Sequence, residues 1–466
     1  MSAPADSRGT FGRLGFVVAA TGSAVGLGNL WKFPYMTYAN EGGSFVLVYL
    51  VAVALIGAPL MAAEILVGRH TRQSPVGAFA QLAGEASRSR GWVLVGWLGI
   101  AAGAVILSYY SVVAGWTVYY FIRCIRWSLG GFTPDDAASL GAVFGDFVGN
   151  GALQVGFHAL FIVLTVGVVI GGVQAGIERA TKILMPTLGL LLLALVINSF
   201  FQPGFDEAMR HLFHFGPISG TGVLEAVGQS FFSLSLGMGA MITYGSYVSR
   251  ENSVPRSAAL VVAFDTLVGL MACFVMFTII FSISAAERET LGAGAGILFT
   301  TLPRMFYEMP GGLILAPLFF FLVAAAALSS TISLLEVIVA YFIDNRGWGR
   351  TRATIAVGAV IFAVGVLCAL SLGANPTLTE LTLVGETQGI FNILDYAAAN
   401  WLLPLGGLFT CLFVGWVLSD ALTRGELEAG HGVFRFHGPW KWALRVICPL
   451  AVSAILIAVM TGYSFN

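Results

Sequence analysis

The sequence predicts an all-α polytopic membrane protein with eleven transmembrane helices. Three observations carry that expectation. Of its 466 residues, 57% are hydrophobic and only 10% are Asp, Glu, Lys or Arg, where a soluble domain carries about 25%. The mean hydropathy is +0.86. Eleven apolar stretches are long enough to span a bilayer. None alternates apolar and polar residues as a membrane β-strand does.

The stretches lie at 14–38, 43–69, 92–125, 154–173, 178–200, 222–248, 257–283, 310–342, 352–371, 389–418 and 440–463. The first follows a polar N-terminus with Asp6, Arg8 and Arg13 and continues past Lys32. It lacks a small-residue cleavage site, so it reads as a retained span and not a signal peptide. Alternate loops divide the basic residues unequally. Seventeen Lys and Arg fall on the N-terminal side, and five (Arg123, Arg126, Arg210, Arg288 and Arg304) fall on the other. The positive-inside rule then places the N-terminus in the cytoplasm and the C-terminus outside. In a bacterium this would be the inner membrane. The outer segment 126–153 is too short for a folded domain, so residues 1–466 read as one membrane domain. The semi-polar connection 371–389 has room for a short interfacial helix.

Composition also narrows the partners. The net charge of −1 argues against nucleic acid and leaves the lipid bilayer as the surroundings. The five Cys are scattered within apolar runs and read as small core residues. The six His lack metal-ligand spacing, which argues against an enzyme. The short termini argue against a sensor with a soluble output domain. Nothing in the sequence indicates an oligomeric state.

Two spans are unusual in the same way. Span 1 contains TGSAVGLGN at 21–29, and span 6 contains SLSLGMGA at 233–240. Each places Gly-x-Gly beside small polar residues near mid-membrane. Gly costs about 1 kcal/mol in a helix interior, so the pattern suggests unwinding, although close helix packing also uses small residues. The two spans are five apart, hence opposite in orientation. Interrupted helices at matching places in inverted halves mark a secondary-transporter site at the midplane. Their free carbonyls suit a cation, and half-helix N-termini suit a carboxylate.

Four stretches then carry a resemblance: GSAVGLGNLWKFP at 22–34, GAPLMAAEILVGR at 57–69, GIERATKILMP at 176–186, and GQSFFSLSLGMG at 228–239 with YGSY at 244–247. The chain strongly resembles the neurotransmitter:sodium symporter family along almost its whole length, as an eleven-helix bacterial member. The resemblance implies a five-plus-five inverted repeat, 14–200 and 222–418, with 440–463 as an additional helix. It also implies sodium-coupled import of an amino acid by alternating access.

The resemblance assigns residues as follows. Asp265 in span 7 has no Lys or Arg in its apolar run, and a buried carboxylate there is a functional candidate. With Asn29, Ser233 and the Ala24 carbonyl it would hold a first sodium. Ser329, Ser330 and the Ala326 carbonyl, facing the Gly22 and Val25 carbonyls, would hold a second. Tyr110 would bind the substrate carboxylate. Ser23, Ala24, Leu27, Gly28, Ile106, Ser233, Ser235, Met238, Ser330 and Leu334 would line the substrate site, with Phe232 as its lid. Gly26 stands where monoamine transporters carry Asp, and the apolar walls favour a hydrophobic L-amino acid. A small zwitterion such as glycine, GABA or taurine is the alternative.

Lys32 and Asp395 would form the outer gate, with Lys where the family has Arg. Arg8 and Asp344 would form the inner gate, with Phe11 where the family has Trp. Tyr49, Gln229 and Ser233 match three chloride ligands, but the fourth position is Gly269. With Asp265 and Glu64 adding negative charge, the expectation is two sodium ions and no chloride requirement. Glu336 receives no role.

Overall fold

The computed structural model describes residues 10–12, 14–282, 296–308, 310–384, 387–430 and 432–464. Among the described residues, nine helices are long and apolar enough to cross a membrane. They are span 2 (Gly43–Thr71), span 3 (Arg90–Gly130), span 4 (Gly151–Ile170), span 5 (Val173–Ser199), span 7 (Val254–Phe281), span 8 (Gly312–Arg346), span 9 (Arg350–Leu370), span 10 (Ile390–Val417) and span 11 (His437–Met460). The other two expected crossings are the broken ones. Span 1 consists of an α-helix Gly15–Ala24, a π-turn Gly28–Lys32 and an α-helix Phe33–Ala39. Span 6 consists of Gly220–Ser233 and Ala240–Gly245.

The sequence breaks these two helices by different means. In span 1, Val25 swings to ψ 114° and ends the first half. In span 6, Ser235, Gly237 and Gly239 take φ values of 53°, 79° and 76°. Gly adopts that region without a steric penalty. At Gly237 a side chain would also sit 2.4 Å from the Leu403 carbonyl oxygen of span 10. Glycine therefore serves both the turn and the close approach.

Span 8 is the axis of the packing. Most residues from Leu322 to Tyr341 are buried, and it packs along span 3 and against spans 1, 4, 5 and 9. It stops at Gly347, whose φ of 65° gives a left-handed cap with its N–H on the Ile343 carbonyl. Spans 4, 5 and 11 turn Val163, Leu190 and Ile457 outward, as helices facing acyl chains do. All five Cys are buried and free.

The connections are compact. Segment 126–153 contains a helix Pro134–Gly149, started by a capping box between Thr133 and Asp136. Those Thr133 hydrogen bonds hold the Asp136 carboxyl below its ordinary pKa. The 371–389 connection carries a helical turn Pro376–Thr379 and a short antiparallel pair, Thr382–Val384 with Thr387–Gln388. At the end expected to face the cytoplasm, buried Arg69 donates to Glu426 at 3.0 Å, and His70 bridges Glu426 and Glu85 at 3.1 Å each. Burial pushes the Glu426 pKa up, but the His70 hydrogen bond and the Arg69 charge outweigh it and hold it below the ordinary value.

Candidate functional site

The breaks in spans 1 and 6 free backbone groups that must find partners. In span 1 the Gly26 N–H goes to Asn29 Oδ1 at 3.1 Å, and the Leu27 N–H to the Tyr110 hydroxyl oxygen at 3.1 Å. The freed carbonyls are met by hydroxyls. Ser235 Oγ donates to Ser23 O at 2.8 Å, and Ser330 Oγ reaches Ser23 O at 3.4 Å and Val25 O at 3.3 Å. In span 6 the Gly237 N–H is taken by Glu64 Oε1 at 2.8 Å.

The breaks flank a cavity with about 30 Å³ of free space, lined by Ser23, Ala24, Gly26, Gly28, Ile106, Tyr110, Phe232, Ser233, Ser235, Met238, Ser330, Ser333 and Leu334. Every residue expected at the substrate site lies on its wall except Leu27. Leu27 lines a larger vestibule instead and contributes its N–H to Tyr110. Gly26 lies on the wall as well, and Ser333 joins it unforeseen. A side chain at Gly26 would stand 2.7 Å from Ser330 Oγ and 2.8 Å from the Tyr110 hydroxyl, and one at Gly28 would strike the Phe232 ring at 2.8 Å. Phe232 borders both cavity and vestibule.

Beside the cavity a polar cluster ties spans 1, 2, 6 and 7 together. Asn29 Nδ2 donates to Asp265 Oδ1 at 2.8 Å and to Ser233 Oγ at 2.9 Å, and Ser233 Oγ donates to Asp265 Oδ2 at 2.7 Å. The Tyr49 hydroxyl reaches Ser233 Oγ at 3.3 Å and Asp265 Oδ2 at 3.5 Å. Asp265 is wholly buried. Its partners are hydroxyls and an amide, and no Lys, Arg or His lies at ion-pair distance among the described residues. A buried carboxylate without a cation suits a metal ion. On the opposite side, Ser330 bridges the span 1 carbonyls to span 8. Ser329 instead donates within its own helix to Ala326 O at 2.8 Å. Its Cβ lies 3.3 Å from the position a Gly22 Cβ would take.

The remaining expected residues lie as follows. Glu64, expected in the anion region with Tyr49 and Gln229, accepts the Gly237 N–H and so holds the unwound backbone of span 6. Gln229 donates to Gly28 O at 3.3 Å. Gly269 faces the Phe33 ring, 3.1 Å from where a Cβ would stand. Arg8 lies outside the described residues. Asp344 accepts the Ser74 N–H at 2.7 Å, and Phe11 packs edge-on against Tyr244 and Tyr247 with its N–H on the Tyr247 carbonyl. Lys32 and Asp395 line the vestibule together, and the Lys32 ammonium sits 5.1 Å from the Phe232 ring centre. Glu225 joins them unforeseen, held by Asn40 at 2.7 Å and by Tyr463. Its position four residues before Gln229, on one face of span 6, was the available clue.

Glu336 also acquires partners. Arg350 grips it with two N–H groups at 2.7 and 2.9 Å, and Tyr247 donates to it at 2.6 Å. Spans 6, 8 and 9 are thereby joined around one buried acid.

Comparison with known proteins gives a consistent result. The model of the Sodium:neurotransmitter symporter family matches residues 8–133 and 143–465. An uncharacterised sodium-dependent transporter, YhdH of Bacillus subtilis, is 37% identical over 97% of this chain and 98% of its own length. A second from Haemophilus influenzae is 30% identical over 96% of each chain. The crystal structure of MhsT in complex with L-phenylalanine superposes with a TM-score of 0.86, at 39% identity, covering 97% of this chain and 99% of that one.

Proposed function

The chain belongs to the Sodium:neurotransmitter symporter family, a family of sodium-coupled transporters and not of enzymes, and from that premise we propose that it imports a hydrophobic L-amino acid together with two sodium ions. The observation that carries this reading is the cavity between the two broken helices. Its open end presents the Tyr110 hydroxyl beside the Gly26–Gly28 backbone, where a carboxylate finds donors. Its sides are Ile106, Met238 and Leu334, which favour an apolar side chain over glycine, GABA or taurine. The L-phenylalanine seen with MhsT supports the same substrate class.

In this reading the first sodium sits among Asn29, Ser233, Asp265 and the Ala24 carbonyl. The second sits between the Gly22 and Val25 carbonyls and Ala326, Ser329 and Ser330. Sodium at the second position ties span 1 to span 8, and its release frees span 1 to move. Phe232 closes over the substrate, with Lys32 and Asp395 above it. Asp265 supplies the negative charge that an anion would otherwise bring, so chloride is not required. The two repeats are residues 14–200 and 222–418, the N-terminus is cytoplasmic, the C-terminus is outside, and the membrane is a bacterial inner membrane.

The test is a thermal-shift panel of the natural L-amino acids, run in Na⁺ and in K⁺. Hydrophobic amino acids should stabilise the protein in Na⁺ alone. Stabilisation only by glycine, GABA or taurine would replace the hydrophobic reading with the small-zwitterion one. No response to any solute would remove the amino-acid reading.

A further inference from the structure

Span 2 ends at Thr71, and Arg72 follows in the left-handed region at φ 53°. The helix Pro75–Glu85 comes next. The two sides of this joint pack on different partners. On one side, Gly68 lets the inner half of span 6 lie directly on span 2: a side chain there would strike the Ile242 carbonyl and stand 2.8 Å from the Ser246 N. On the other, helix 75–85 packs on spans 3 and 8. Ser74, just before it, is bonded to the end of span 8, its N–H on Asp344 Oδ2 and its hydroxyl on Asn345 Oδ1, at 2.7 Å each. Element ends of this kind absorb the backbone rotation of a hinge.

His70 bridges the joint. Its Nδ1 lies 3.1 Å from Glu426 Oε1, in the helix Asp420–Glu428, and its Nε2 lies 3.1 Å from Glu85 Oε2. A neutral imidazole carries one N–H, and an ionised carboxylate only accepts. With both acids ionised, the two bonds form together only on an imidazolium. Arg69 at 3.0 Å and Arg250 at 3.8 Å keep Glu426 ionised. Glu85 has 40% of its side chain in solvent and accepts Gln81 Nε2 at 2.8 Å. The ring is thus faced by two acids, with Arg69 and Arg250 behind Glu426, while Arg72 turns to the Val248 carbonyl at 3.4 Å.

We propose that His70 is a positioning residue of the transport cycle: its imidazolium pins this joint while the cytoplasmic end is shut, and loss of its proton frees span 2, with the inner half of span 6, to open that end. The inference rests on the cytoplasmic placement of this end and on sodium-coupled transport, and it holds for any amino acid carried. Both charge-assisted bonds exist while the ring is protonated and are lost as pH rises through its titration, which for imidazole falls in the physiological range. An acidic cytoplasm therefore slows opening to that side, and an alkaline one speeds it.

Initial sodium-driven uptake of labelled L-leucine into proteoliposomes, with the lumen at about pH 6 or about pH 8.5 to bracket imidazole titration, tests it. Responses of other acids, Asp265 among them, are common to all chains and cancel in the ratio of wild-type rate to His70→Gln rate. That ratio should rise about two- to fivefold from the acid to the alkaline lumen, the scale of a part-exposed charge pair. His70→Arg, charged throughout, should be the slower of the two variants at both pH values. A ratio that does not move with lumenal pH, or that follows external pH instead, overturns the inference. Melting of the purified chain needs no substrate. The wild type should be more stable than His70→Gln at the acid pH and lose that advantage at the alkaline one; an equal difference at both overturns the inference. That melting difference without sodium-driven uptake of any amino acid leaves the His70 imidazolium standing and removes the amino-acid reading.

Discussion

Replacing Tyr110 by Phe removes one oxygen with two separable consequences. Without substrate, that oxygen accepts the Leu27 N–H at 3.1 Å. Tyr110 is nearly buried, with 7% of its surface exposed. Its loss leaves a backbone donor of the broken helix without a partner, at a cost of about 1–3 kcal/mol. With substrate bound, the hydroxyl hydrogen is free to donate to the carboxylate. A hydrogen bond to a charged group contributes about 1.5–3 kcal/mol, which is a loss of about 10- to 150-fold in affinity. Tyr110→Phe should therefore lower the melting temperature of the empty protein and weaken amino-acid binding by that factor. Sodium alone should still stabilise the variant, because neither proposed sodium set includes Tyr110. Thermal unfolding and equilibrium binding, each with and without Na⁺, read the terms separately. Binding within twofold of wild type would refute the placement of the carboxylate.

Asp265→Ala and Asn29→Ala should abolish sodium-dependent binding while the protein stays monodisperse on size exclusion; unchanged sodium dependence in Asp265→Ala would sink the first-site assignment. Arg350→Ala leaves the buried Glu336 carboxylate without its cation, which costs about 3–5 kcal/mol, whereas Glu336→Gln keeps neutral partners for Tyr247 and leaves the more exposed Arg350 charge reachable by water. The alanine variant should melt at a clearly lower temperature, and equal losses would deny the ion pair its role. Uptake should be full with gluconate in place of chloride, since Asp265 already lies within 3.5 Å of the Tyr49 hydroxyl; a strict chloride requirement would show that this acid does not stand in for the anion.

The features readable in advance were those that violate a local rule. Gly-x-Gly in a membrane helix and an acid without a basic neighbour both cost free energy, so spans 1 and 6, set five spans apart, and Asp265 stood out from the local sequence pattern. Reading apolar runs and not helices was needed to find the broken spans, because neither is long enough as a continuous helix. Contacts between distant segments were not readable. Arg350 reaches Glu336 across the turn between spans 8 and 9, and Glu64 serves a backbone N–H whose exposure depends on how span 6 unwinds. Ser333 was missed for a different reason. A serine in an apolar helix ordinarily bonds the preceding turn, and Ser333 does so; only its pairing with Ser23 sets it apart. Its position three residues after Ser330, on the same helix face, was the one available sign.

The central claim is that sodium running down its gradient drives amino-acid uptake through this chain. Two sodium ions entering down an interior-negative potential of about −100 mV supply about 4.6 kcal/mol, enough for roughly thousandfold accumulation. The direct measurement is uptake of labelled L-leucine and L-tryptophan into proteoliposomes with Na⁺ outside, K⁺ inside and valinomycin setting the potential. The account predicts a transient overshoot far above equilibrium, abolished when K⁺ replaces external Na⁺ and absent in Asp265→Ala. Equal uptake of both amino acids in Na⁺ and in K⁺, without accumulation, would contradict it.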